Sequence, residues 1–386
     1  MNLKAAASSV VKRCGQRILA NPPASRPVSP VISQGLRATG KYNQSAIVDA
    51  SSHPPPLPPI RLYSTEATSN AYAPTCGSLP QQSGEPAIDS FFEPATSTWQ
   101  YVVSDPTTKK AVIIDSVLDF SPASGEISTK TADSLLAFIK QKGLEVIMIL
   151  ETHAHADHLT AAQYLKSRLG GSVPVAIGKR ITGVQKTFAK VYGVPKESFE
   201  GTFDKLWEDD ETFRIGNLEC HVMHLPGHTP DHVGYRCGNA LFVGDTLFYP
   251  DVGSARADFP GGSPTDLYQS VQRVLSLDPD VQVFAGHDYP PEGEKPGQRC
   301  WSLVSEQRRK NVHLRARRGP EQSAPDAQEK DKDAFIRWRA QRDRTLGAPR
   351  LLHPALQVNI CAGRLPQPDE SGRRMFKIPL KVPEGL

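Results

Sequence analysis

Apolar and polar positions follow two rhythms that alternate along the middle of the chain. "TWQYVV" from Trp99 and "AVIIDSV" from Ala111 are short β-rich runs, and "SDPTTKK" between them has the residues of a hairpin. The spacing turns helical over Thr131 to Lys142, closed by Gly143, then returns to an apolar strand in "VIMIL", Val146 to Leu150. Leu159, Ala162, Leu165 and Leu169 share one helical face that stops at Gly170 and Gly171. Downstream the pattern predicts a strand near Val173 to Ile177, a helix over Ile181 to Tyr192 and several strands between Phe203 and Phe248. A helix over Leu267 to Leu277 and the strand "VQVFAGHDY" close the series. Two batches of strands with helices outside them predict a layered α/β sandwich.

Beyond Pro290 the chain turns polar. "SEQRRKNVHLRARRG" and "DAFIRWRAQRDRTL" read as helices around a soft linker from Gly319 to Glu329. The segment from "LHPALQVNICAG" to "FKIPL" reads as extended, wrapped over the core or over the partner subunit of a homodimer. Domain boundaries follow: 1–63 an address segment, 64–85 a flexible leader, 86–298 the sandwich, and 299–386 a helical and extended segment packed on it.

Polar groups recur where apolar strands end. "ETHAHADH" places His153, His155, Asp157 and His158 directly after "VIMIL". Extended side chains two apart share a side, so His153 and His155 converge, with Asp157 and His158 beside them for a second ion or as hydrogen-bonding support. His228 in "PGHTPDH", Asp245 in "LFVGDTLF" and His287 in "VFAGHDYPP" repeat the arrangement, the usual way a rigid sheet presents ligands at one rim. Five histidines and two aspartates so placed predict metal binding. His221, His224 and His232 lack a matching place and read as structural or surface residues.

Charge changes the reading mainly at the front. Net charge is +4, but residues 1–63 alone carry eight Lys and Arg against Asp49, a surplus of +7, which leaves about −3 for the rest. Leu3, Ala7, Val10, Cys14 and Ile18 lie on one helical face with no acid before Asp49, as a mitochondrial transit peptide requires. "RLYST" after the Pro-rich stretch resembles a matrix processing site between Tyr63 and Ser64, so a matrix location is expected. The basic run Arg308 to Arg318 has no interleaved aromatics and reads as a solvated helix face, so no nucleic-acid partner is expected. No run near the cluster approaches the roughly 20 apolar residues of a membrane span, so no membrane partner is expected. The six cysteines form no C-x-x-C pair and read as reduced thiols.

Taken together, H-x-H-x-D-H, P-G-H-T, G-D and G-H-D-Y resemble the metallo-β-lactamase superfamily over roughly Trp99 to Pro291. The resemblance implies an αββα sandwich with metal at one edge. Within the superfamily, "DVGSARADFPGG" followed by "PTDLYQSVQRVL" resembles the substrate loop of persulfide dioxygenases. That likeness implies one Fe(II) held by His153, His228 and Asp245, with His155, Asp157, His158 and His287 in support. Two histidines and one carboxylate leave three positions open, as in non-haem iron oxygenases. The implied substrates are glutathione persulfide and O2, and the products sulfite and glutathione. Arg256 is assigned to glutathione binding or to ordering the site, with Asp258 and Tyr289 as further candidates, and a plain Arg256–Asp258 loop pair as the structural alternative. Ser254 and Ala255 stand where shorter members carry Cys-Gly. The competing reading is a glyoxalase II-like thioesterase with one or two Zn(II), in which all seven rim residues ligate and activate water. Asp288 after His287 departs from the H-E-Y of those enzymes, and "CAGRLP" does not reproduce a rhodanese loop.

Overall fold

A computed structural model describes residues 74–75, 84–315 and 327–383, all within the unit Thr65–Leu386. The expected address helix and processing site lie outside the described residues. Strands β1 (Ala87–Glu93), β2 (Thr98–Ser104) and β3 (Lys110–Ile114) pair antiparallel in succession. After β4 (Val117–Ser121) and β5 (Glu126–Ser128), helix α1 (Lys130–Lys142) crosses to β6 (Glu145–Leu150), parallel to β3. Gly143 ends α1 in the left-handed conformation. Next come β7 (Leu159–Thr160), α2 (Ala162–Arg168), β8 (Val175–Gly178), α3 (Ile181–Tyr192), α4 (Lys196–Phe199) and β9 (Lys205–Trp207). The first sheet runs β1-β2-β3-β6-β8-β9, and β5-β4-β7 form a small third sheet.

The second sheet begins with β10 (Thr212–Ile215), β11 (Leu218–His224), β12 (Val233–Cys237) and β13 (Ala240–Gly244). Helix α5 (Pro264–Leu275) leads to β14 (Gln282–Ala285), parallel to β13, and β15 (Ser302–Leu303) closes the edge. The chain goes on through α6 (Val304–Lys310), α7 (Val312–Arg315), α8 (Ala327–Asp343) and α9 (Leu352–Asn359).

Alternation on the strands builds the layers. Tyr101, Val103, Val112, Ile114 and Leu150 turn inward to meet Val222, Tyr235, Phe242 and Phe284 of the second sheet. Their neighbours Val102, Ile113 and Ile149 turn outward under α1, α2, α3 and α9. Leu241, Val243 and Val283 face outward under α5 and α8. The result is the expected αββα sandwich, with α8 covering one outer face and α9 the other.

Several expected elements shift. β1 was not visible, because Asp89 and Ser90 interrupt its apolar run although the whole strand is buried. Leu159 belongs to β7, not to the helix that begins at Ala162. β14 stops at Ala285, and α8 starts at Ala327 inside the expected linker. The segment from Leu352 is helical, not extended: Pro354 sits in its first turn, where a missing N–H costs nothing. The basic run is broken at Asn311; Arg309 and Lys310 are exposed as expected, while Arg308 is half-buried and its Nε donates at 2.7 Å to the Leu275 carbonyl at the end of α5. The cysteine reading also needs correcting. Cys220, Cys237 and Cys361 are free and buried, but Cys300 is disulfide-bonded.

Candidate metal centre

The rim lies where strands from both sheets end. Asp115 follows β3, Glu151 to His158 follow β6, His228 lies between β11 and β12, Asp245 follows β13 and His287 follows β14. Ligands at the carboxyl ends of strands are held by backbone that the ladders make rigid. Gly244 makes the turn to Asp245 with φ +47°, and a Cβ there would lie 2.5 Å from Thr152 Oγ1 and 2.8 Å from His232 Nε2. Only glycine fits.

Hydrogen bonds decide which nitrogen each histidine offers. Thr152 Oγ1 donates to Asp115 Oδ2 at 2.8 Å, so at 3.0 Å it can only accept from His153 Nδ1, leaving the lone pair on Nε2. His228 Nδ1 faces the Arg256 carbonyl at 2.9 Å and His287 Nδ1 the Ser97 carbonyl at 3.1 Å; carbonyls only accept, so both rings offer Nε2. His155 Nε2 is engaged by Asp115 at 3.0 Å, so its Nδ1 points to the rim. His158 Nδ1 donates to Asp157 Oδ2 at 3.3 Å.

The offered atoms are left without partners: His153 Nε2, His155 Nδ1, His158 Nε2 and Asp245 Oδ1 are buried and unsatisfied. His287 Nε2 comes within 3.3 Å of Asp245 Oδ1, an ion-pair distance without hydrogen-bond geometry. So many buried orphans at one point are costly unless a cation binds them. The atoms fall into groups within 4.8 Å of one another: His153, His228 and Asp245; His155, Asp157 and His158; Asp157, Asp245 and His287. Nitrogen and carboxylate donors without thiolate suit iron or zinc. Every rim residue named from the sequence is thus brought together.

Electrostatics match. Burial, with His155 beside it, holds the His153 imidazole well below its ordinary range, keeping it neutral as a ligand must be. Burial pulls His287 down, but Asp245 and Asp157 outweigh it and push the ring up to about 9. Burial likewise opposes protonation of His155, yet Asp115 drives it well above the ordinary value. Without an ion these rings neutralise the carboxylates, and a bound cation would displace their protons.

A supporting set escaped sequence reasoning. Asp115 accepts from the Thr152 backbone N–H at 2.7 Å, from its hydroxyl and from His155, so one carboxylate orients both rim histidines. Asp231 Oδ2 accepts from the Ala154 N–H at 2.9 Å. His232, read as structural, is buried beside His153 at 4.7 Å between ring centroids, and its Nε2 accepts the Asp245 N–H at 2.9 Å. Burial and His228 pull it down to about 3, so it stays a neutral acceptor. Asn359 at the end of α9 donates Nδ2 to the carbonyls of His155 and His158 at 2.8 and 2.7 Å and accepts the Thr160 N–H. The rule that found Asp245, a polar residue closing an apolar strand, also applies to Asp115; no local signal marks Asn359.

A cavity of about 570 Å³ opens on the rim and is lined there by Asp157, His228 and Asp245. Of the loop candidates, Arg256 and Tyr289 also line it, and Tyr289 stacks on His287 with ring centroids 5.1 Å apart. The Arg256 fork is filled: Nε and Nη2 grip Asp258 at 2.6 and 2.7 Å, and Nη1 donates to the Gly347 carbonyl at 2.8 Å. The loop pair is therefore present, and it ties the loop to the segment after α8.

Residues 94–287 match the family model described as metallo-beta-lactamase superfamily. A "Beta-lactamase hydrolase-like protein" of Xylella fastidiosa is 46% identical over 301 residues, 78% of this chain but only 66% of the relative. "Glyoxylase B2" of Dictyostelium discoideum is 44% identical over 303 residues, 77% of this chain and 98% of the relative. "Persulfide dioxygenase ETHE1, mitochondrial" of Homo sapiens is 30% identical over 211 residues, 54% of this chain and 70% of the relative. Among solved structures, ETHE1 from Myxococcus xanthus superposes with a TM-score of 0.54 at 25% identity, covering 72% of this chain and 99% of that one.

Proposed function

The chain belongs to the metallo-β-lactamase superfamily, and from that premise we propose that it is an iron-dependent persulfide dioxygenase acting on glutathione persulfide and O2. One observation carries this reading: His153, His228 and Asp245 form a two-histidine, one-carboxylate group whose His228–Asp245 edge opens on the cavity. Of the other rim residues Asp157 also lines the cavity, whereas His153, His155, His158 and His287 are buried outside its lining. The persulfide dioxygenase from Homo sapiens and the ETHE1 structure from Myxococcus xanthus support it.

In this reading Fe(II), when bound, supplies open positions for sulfur and oxygen on one face. The protein's part is to hold the ligands. Thr152 and the Arg256 carbonyl fix two imidazole orientations, and His232 fixes the Asp245 backbone. Carbon side chains of Phe248, Val252 and Leu346 give the cavity an apolar part of its wall.

A second reading, a zinc thioesterase of the glyoxalase II kind, is favoured by the further group Asp157, Asp245 and His287 and by the relative from Dictyostelium discoideum. Purified protein decides between them through bound iron and zinc and through oxygen uptake with glutathione persulfide. Iron near one per chain with oxygen consumption is the expected outcome. Zinc with hydrolysis of S-lactoylglutathione and no oxygen uptake would overturn it. We also place the enzyme in the mitochondrial matrix, cleaved after Tyr63; an intact N-terminus on protein recovered from mitochondria would refute the cleavage.

A further inference from the structure

Four arginines line the cavity above the rim: Arg256, Arg339, Arg342 and Arg350. Three come from α8 and the segment after it, which the family match at residues 94–287 does not include. They differ sharply in what they hold. Arg256 is spent on Asp258 and the Gly347 carbonyl. Arg339 is buried and donates to Asp343 at 2.9 Å, while Asp343 also accepts the Ala257 N–H at 2.9 Å. These two arginines staple the C-terminal segment to the loop.

The other pair is free of acids. Among the described residues Arg342 donates only to Thr345 Oγ1 at 3.0 Å, and Arg350 only to the Ala95 carbonyl at 3.3 Å. Among the described residues neither makes an ion pair. Among the described residues the only carboxylates lining the cavity are Asp157 and Asp245, both at the metal rim. A molecule entering with its sulfur toward that rim therefore meets two uncommitted guanidinium groups at the lip. An exposed arginine without an acid is common on surfaces; two on one cavity lip, set there by two buried or bidentate arginine staples, form a recognition arrangement.

We propose that Arg342 and Arg350 bind the carboxylates of the thiol-bearing substrate, making the segment Arg342 to Arg350 the specificity wall of the pocket. Guanidinium forks suit carboxylates, and the cavity lies within the size range of small-molecule sites. A tripeptide thiol such as glutathione carries two carboxylates, one for each fork. This rests on the glutathione ligand of the proposed function, so its test is a binding measurement that needs no turnover.

The metal-loaded protein is titrated calorimetrically with S-methylglutathione and with its diethyl ester. Arg342→Ala and Arg350→Ala should each weaken S-methylglutathione binding about tenfold or more. Lysine at both positions should restore part of it, metal content should not change, and the ester should bind weakly to wild type and variants alike. Wild-type binding that the alanine variants match would overturn the inference while leaving the glutathione reading intact. No binding to wild type would overturn both. Weakened binding in variants of a protein that consumes no oxygen would keep the inference and remove the dioxygenase reading.

Discussion

Thr152 shows how much of the centre is set by atoms that never touch a ligand. Its hydroxyl donates to Asp115 and so must accept from His153, which makes His153 present Nε2 to the rim. Thr152→Val keeps the volume and removes the relay. Metal affinity, measured against a competing chelator, should fall about 10- to 100-fold, the usual cost of losing such a partner, while Thr152→Ser should stay near wild type. Equal affinity in the valine variant would mean the tautomer is set elsewhere. At this scale His153, His228, Asp245 and His287 are legible because each stands in a recognisable group in the turn or loop after a strand. Asp115 closes a strand too, but its bond to Thr152 spans 37 residues, and no local pattern announces such a register.

Secondary elements carry the site's rigidity, and α9 carries more of it than its sequence showed. The hairpin of β2 and β3, helix α3 and helix α5 emerged near their expected bounds because period and caps agree there. Helix α9 did not, since Pro354, its third residue, reads as a helix breaker. Yet Asn359 satisfies the backbone carbonyls of His155 and His158 and the N–H of Thr160 with one side chain. Asn359→Leu would leave three buried backbone groups unpaired, at about 1–3 kcal/mol each. A loss of about 3 kcal/mol or more in denaturant unfolding is expected, with weaker metal binding. A stability change below 1 kcal/mol would show that water replaces the amide.

At the scale of the whole molecule, the segment after α7 binds three things at once: one outer helix layer through α8, the other through α9, and the cavity lip between them. No helix among the described residues is long and apolar enough to cross a membrane. A chain stopped after Arg350 would lose Leu351, Ala355, Leu356 and Val358 and uncover the apolar bed they cover, including Leu159 of β7 and Ile181 and Val184 of α3. It should bind a hydrophobic dye, self-associate on gel filtration and fail to retain metal; a monomer that keeps its metal would contradict this role for α9. The bonds from Asn359 reach back 204 and 201 residues, to His155 and His158. A ribosome delivers His158 long before Asn359, so the growing chain displays its histidines for many seconds with no finished cage behind them. The support behind the rim is therefore closed only by the last helix of the described chain, and no shorter stretch holds the histidines in their finished geometry.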